Sequence, residues 1–83
     1  MSARVLIVDD DPAVLRGVGG LLRDEGFRTT EAQSVAEAER RLAGPHQPDL
    51  MLLDLRLPGE GGLAWLARLG SPLPLPVVVL SGE

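Results

Sequence analysis

Three unbroken runs of four apolar residues constrain this chain more than any other feature: Val5-Leu6-Ile7-Val8, Leu50-Met51-Leu52-Leu53 and Val77-Val78-Val79-Leu80. Each is too short for a helix, shows no polar alternation, and stops abruptly at Asp9, Asp54 or Ser81. Runs of this kind are strands buried on both faces, which requires a parallel sheet covered by helices on both sides. Between them lie segments of helical periodicity. Pro12 suits a first helical position behind an acidic N-cap, and Val14, Leu15, Val18, Leu21 and Leu22 recur at helical spacing until Gly26. Gly17, Gly19 and Gly20 each cost about 1 kcal/mol relative to alanine, so this helix must lean on tertiary packing.

Residues 27–31 read as a weaker edge strand. Ser34 and Glu37 form a capping-box pattern ahead of Val35, Ala38 and Leu42, and that helix ends near Gly44. Glu37 and Arg41 stand four apart with the acid first, the favourable order for a solvated pair. A third helical face is expected from Leu63, Leu66 and Ala67 after Gly59, Gly61 and Gly62, with Trp65 on the opposite side and partly buried. The last strand covers residues 76–80. His46, between prolines and with no second histidine or cysteine to complete a metal set, reads as surface loop.

The order βαβαβαβ with continuous apolar strands predicts an α/β, doubly wound, flavodoxin-like parallel sheet with right-handed crossovers. Ligands of such sheets bind beyond the carboxyl ends of the strands, where the strand order reverses. Asp9, Asp10, Asp54 and Ser81 all stand at those ends. At 83 residues the chain holds a single domain with a thin core. The absence of cysteine excludes disulfides, thiolate zinc sites and cysteine nucleophiles. A net charge of −4 and eight scattered arginines, with no lysine, exclude direct nucleic-acid binding through a basic stripe. No apolar run is long enough for a membrane span and no signal-peptide pattern opens the chain, so the cytoplasm is the expected location.

Carboxylates gathered at one sheet edge repel one another, and a hard divalent cation is the simplest remedy. Mg²⁺ takes oxygen ligands, often one or two carboxylates together with phosphate oxygens, which matches Asp9, Asp10 and Asp54. With the ion in place, Asp54 has the chemistry of a nucleophile toward phosphorus, and Ser81 could donate a hydrogen bond to a phosphoryl oxygen. Asp11 belongs mainly to the helix N-terminus. Taken singly, three aspartates before a helix are capping charge and a lone aspartate after a strand is a turn former. Their convergence at neighbouring strand ends is what favours chemistry.

These residues carry a resemblance. Val5-Leu6-Ile7-Val8-Asp9-Asp10-Asp11-Pro12, then Asp54-Leu55-Arg56-Leu57-Pro58-Gly59, then Val77-Val78-Val79-Leu80-Ser81-Gly82 together resemble the receiver domain of two-component response regulators. The resemblance implies that Asp9 and Asp10 bind Mg²⁺, that Asp54 is phosphorylated by a sensor histidine kinase, and that Ser81 is the switch hydroxyl. It also implies that Arg56 contributes its backbone carbonyl to the metal, that Pro58 and Gly59 shape the following turn, and that a conformational switch controls an output domain. Such a module is not a turnover enzyme. Receivers normally continue through a fourth helix, a fifth strand bearing a lysine, and a fifth helix. We therefore expect residues 1–83 to be a receiver truncated after its fourth strand, or, if complete, a homodimer pairing through residues 77–80. Rival readings are a phosphorylation-independent binding module that keeps the receiver shape and an aspartate-dependent phosphohydrolase built on Asp9-x-Asp11, which leaves Asp54 without a role.

Overall fold

The computed structural model describes residues 2–81, with the side chain of Ser81 outside the described part. Its elements are β1 (Arg4–Val8), α1 (Pro12–Asp24), β2 (Arg28–Ala32), α2 (Val35–Ala43), β3 (Leu50–Asp54), α3 (Gly62–Leu69) and β4 (Val77–Ser81). All strand pairs are parallel, in the order β2-β1-β3-β4. This is the flavodoxin-like arrangement expected from the apolar runs. β2 and β4 each start and end one residue later than the sequence pattern placed them.

Local chemistry sets the helix starts. Asp11 Oδ1 accepts from the Ala13 N–H at 2.9 Å and Pro12 opens α1, as expected. Ser34 Oγ accepts from the Glu37 N–H at 3.2 Å, while Glu37 Oε1 accepts from the Gln33 N–H at 2.9 Å, one residue beyond the reciprocal position of a capping box. The expected pair between Glu37 and Arg41 is therefore not made. Arg41 instead turns across the sheet edge, and its Nε donates to the Glu31 carbonyl at 3.1 Å.

The sheet separates two cores. On one face Leu15 of α1, flanked by Val18 and Leu22, packs on Val5, Ile7, Leu50 and Leu52. Leu21 lies off this stripe and is 69% exposed, which corrects its assignment to the apolar face. Gly19 faces the sheet, where a Cβ would stand 3.0 Å from Arg23 Nη1 and 3.4 Å from Glu31 Oε2. Its lack of a side chain leaves room for Arg23, whose Nη1 donates to Thr29 Oγ1 at 2.8 Å.

On the other face Leu6, Val8, Ala32, Val35, Ala38, Met51, Leu53, Leu57 and Trp65 form the larger core. Trp65 is fully buried, whereas Leu63 is 67% exposed and Ala67 is exposed, so α3 is rolled away from the expected orientation; of the expected stripe only Leu66, half-buried, packs on this core. The rotation is set at the helix entrance. A Cβ on Gly62 would fall 2.8 Å from the Asp54 carbonyl oxygen and 2.9 Å from Leu55 Cα, so only glycine allows this close approach, and Trp65, one turn on, is carried inward. Nearly every residue of α3 is apolar, so periodicity alone had two faces to choose from. The buried indole Nε1 donates to Glu39 Oε2 at 3.3 Å, which satisfies its polar atom. At the β4 edge Val78, Val79 and Leu80 are 49%, 46% and 37% exposed. Among the described residues no helix is long and apolar enough to cross a membrane.

Candidate functional site

The strand order reverses between β1 and β3, so the connections after these neighbouring strands diverge and leave a crevice at their carboxyl ends. Asp9 follows β1 directly. Its N–H donates to the Ala32 carbonyl at 3.0 Å, and its Oδ1 accepts from the Asp11 N–H at 2.9 Å, which fixes the side chain within a three-residue turn. Asp54 is the last residue of β3, and its Oδ1 accepts from the Arg56 N–H at 2.9 Å. Both carboxyl groups are buried, at 5% and 9% exposure, whereas Asp10 is exposed.

One carboxylate oxygen from each of Asp9, Asp10 and Asp54 lies within 4.8 Å of the others. Among the described residues the ion pairs join Arg68 to Glu39 and Glu60, so none of these three carboxylates has a cationic partner. Burial pushes the Asp9 carboxyl above its ordinary pKa; the Asp11 N–H opposes the shift, and the charges of Asp54, Asp10 and Asp11 add to it. An acid-rich, oxygen-only donor set with two buried carboxylates, one exposed, and no counter-charge is compatible with a divalent metal, because a hard cation removes the repulsion and the desolvation penalty together.

The structure thus brings together Asp9, Asp10 and Asp54. Asp11 is drawn to the α1 N-cap, as expected. Arg56 supplies its N–H to Asp54 and leaves its side chain exposed. Ser81 is registered opposite Asp54 across the β3–β4 pair; the expectation for its hydroxyl falls on a side chain outside the described residues. His46 is exposed and lies on the α2–β3 connection.

Sequence reasoning placed Pro58 and Gly59 in the turn after Asp54 but passed over the other supports of the β3–α3 connection. Leu57 is buried at 6% exposure and anchors its middle in the larger core. Gly59 takes a φ of +73° that favours glycine, and the Gly62 N–H donates to the Leu55 carbonyl at 3.1 Å. Arg68 then ties the connection to two helices, donating to both oxygens of Glu60 at 2.9 and 2.7 Å and to Glu39 at 2.9 Å. The Gly61-Gly62 pair at the helix entrance was the available signal, since adjacent glycines at a helix start mark a close backbone approach.

A family model described as the response regulator receiver domain matches residues 5–83. The transcriptional regulatory protein KdpE of Mycobacterium tuberculosis is 40% identical over 79 residues, covering 95% of this chain and 34% of that protein. The chain thus spans about a third of the length of this relative. Among solved structures, a response regulator receiver protein from Pseudomonas putida superposes with a TM-score of 0.89 at 27% identity, covering 100% of this chain and 70% of its own. A response regulator from Burkholderia pseudomallei, determined with a phosphorylated aspartic acid, a calcium ion and citrate, gives a TM-score of 0.83 at 26% identity, with 99% of this chain and 48% of that one covered.

Proposed function

The chain belongs to the response regulator receiver domain family, and from that premise we propose that Asp54 accepts a phosphoryl group from the phosphohistidine of a sensor kinase in a Mg²⁺-dependent reaction. The single observation that carries this reading is the convergence of the Asp9, Asp10 and Asp54 carboxylates within 4.8 Å at the strand-reversal crevice. The structural neighbour determined with a phosphorylated aspartate and a calcium ion supports it by likeness.

The carboxylates of Asp9, Asp10 and Asp54 and the backbone carbonyl of Arg56 are the residues that would hold the ion. When bound, Mg²⁺ supplies positive charge against the carboxylates and the oxygens of the transferring group. The chain's own contribution is placement. The Arg56 N–H engages one oxygen of Asp54 and sets the plane of the carboxylate, leaving the second oxygen to attack. A P–O bond to Asp54 forms as the P–N bond of phosphohistidine breaks, and the bonding pair returns to the imidazole nitrogen. The Ser81 hydroxyl serves as donor to the new phosphoryl group. Phosphorylation then shifts a conformational equilibrium read by an output region, which in the mycobacterial relative named above belongs to a transcriptional regulatory protein. The module promotes its own modification and does not act as a turnover enzyme.

Beryllofluoride with Mg²⁺ provides the test, because it mimics an aspartyl-phosphate without a kinase. The wild-type chain is expected to bind it, Asp54→Asn to lose it, and Asp10→Ala to weaken Mg²⁺ first. Undiminished binding by the Asn variant removes the site assignment. Intact Mg²⁺ affinity with no phosphoryl uptake by Asp54 identifies instead a binding module that keeps the receiver shape.

A further inference from the structure

A second polar site lies at the C-terminal end of α2, beside the middle of β2. Parallel strands oblige each connecting helix to run back along the sheet, so α2 begins near the acidic crevice and ends beside the edge strand β2. There a cavity of about 160 Å³ is lined by Thr30, Arg40, Arg41, Gly44, Pro45 and His46. Thr30 Oγ1 is buried in this region and has no hydrogen-bond partner among the described residues. Buried hydroxyls are almost always satisfied, so one left over at a cavity wall calls for a group that enters from outside.

The charges around it favour an anion. Arg41 spends only its Nε, on the Glu31 carbonyl, and that bond holds its guanidinium across the β2 edge with both terminal nitrogens undirected among the described residues. Arg40 makes no hydrogen bond or ion pair among them. Helix C-termini normally repel anions through their free carbonyls. Here the Gln47 side-chain amide donates to the carbonyls of Leu42 and Gly44, and the Gly44 N–H donates to that of Arg41. Of the two nearby acids only Glu31 is turned away, and Glu37 shares a neighbouring depression with Arg40 and Arg41. Glu37 accepts from the Gln33 N–H, and Glu31 directs its carboxylate to the α1 side of the sheet, beside Gly19.

We propose that this cavity binds a phosphate group, with Thr30 Oγ1 as the inner donor and the guanidinium groups of Arg40 and Arg41 as its charge partners. The donor set is two planar cations and one hydroxyl, which suits a tetrahedral oxyanion, and the volume is ample for a phosphate group. The site is independent of the role assigned to Asp54.

Titration of inorganic phosphate into the metal-free protein, followed by amide resonances, tests the proposal. Saturable shifts are expected at Thr30, Gly44 and His46. Replacing both arginines, Arg40→Gln with Arg41→Gln, should weaken binding about tenfold or more, and the near-isosteric Thr30→Val should weaken it severalfold while the fold is retained. Shifts that fail to saturate, or that persist unchanged in the arginine double variant, overturn the proposal. Equal binding by Thr30→Val also overturns it, because the hydroxyl is then served by water alone. A parallel arm with vesicles containing phosphatidic acid identifies the source: arginine-dependent sedimentation assigns the phosphate to a lipid headgroup, and phosphate binding without sedimentation assigns it to a soluble ligand.

Discussion

The two connections that flank the acidic crevice reach the same end by different means. After β1, three consecutive aspartates organise themselves: Asp9 accepts from the Asp11 N–H, and Asp11 accepts from the Ala13 N–H, both at 2.9 Å. Apart from the Asp9 N–H, which donates to the Ala32 carbonyl, the hydrogen bonds of this turn lie within five residues. After β3, the longer connection holds little of itself together and depends on distant parts of the chain. Leu57 is set in the core, Gly62 presses on the Asp54 carbonyl, and Arg68 joins Glu60 to Glu39 of α2. Both carboxylates accept from an N–H two residues on, Asp11 for Asp9 and Arg56 for Asp54, but the connection behind Asp54 is held by tertiary packing, so damage to the fold should reach Asp54 well before it reaches Asp9.

The strongest way to break this contrast is Trp65→Ala. Removing a fully buried indole from under α3 is expected to destabilise the domain by about 3–5 kcal/mol, a large share of what a chain this size has in hand. Chemical denaturation monitored by circular dichroism measures it. Gly62→Ala comes next, with an expected loss of about 1–3 kcal/mol, because the atoms a methyl would meet are backbone and cannot swing away. It should also lower divalent affinity at Asp54, read by calorimetric titration of Mg²⁺. If Gly62→Ala leaves both stability and Mg²⁺ affinity intact, the second connection is not held as described. Asp11→Ala, by contrast, should lose only about 1 kcal/mol of capping energy. A larger effect there than at Gly62 would invert the comparison.

The finest probe is pH. Because burial raises the Asp9 pKa in the folded chain, the folded state keeps its proton to higher pH than the unfolded state does. Stability of the metal-free protein therefore falls as pH rises from the ordinary carboxylate value through the raised value, and returns on acidification across that window. Asp9→Asn should remove this slope and raise the melting temperature at neutral pH while abolishing divalent binding. In the wild type the metal reverses the preference, so its affinity should decline as pH is lowered through the same window. A melting temperature insensitive to the substitution in metal-free buffer would show that Asp9 carries no such burden.

Much of the frame was legible because the signals were local and redundant. The three apolar runs named their strands, and Asp11-Pro12 and Ser34 marked helix starts that the structure places where expected. Asp9, Asp10 and Asp54 were legible as a group because a parallel sheet allows strand ends to be counted without coordinates. The face of α3 was not legible. Its residues are apolar nearly all round, and the sheet-facing side was selected by the contact at Gly62 rather than by any periodicity. Leu21 misled for a related reason, since an apolar residue at the margin of a stripe satisfies the spacing without entering the core. The partner of Arg41 escaped because the Glu31 carbonyl that it covers exists as an acceptor only once β2 has become a sheet edge.

By itself, then, the order of residues determined which segments pair, which ends carry the carboxylates, and how the first turn closes, since these follow from hydrogen bonds and burial over a few neighbouring positions. Tertiary structure alone decided how α3 is rolled, what clamps the loop behind Asp54, and where Thr30 meets Arg40 and Arg41. Those outcomes depend on which surfaces come into contact after folding, and contact between distant segments leaves no periodic mark on either one.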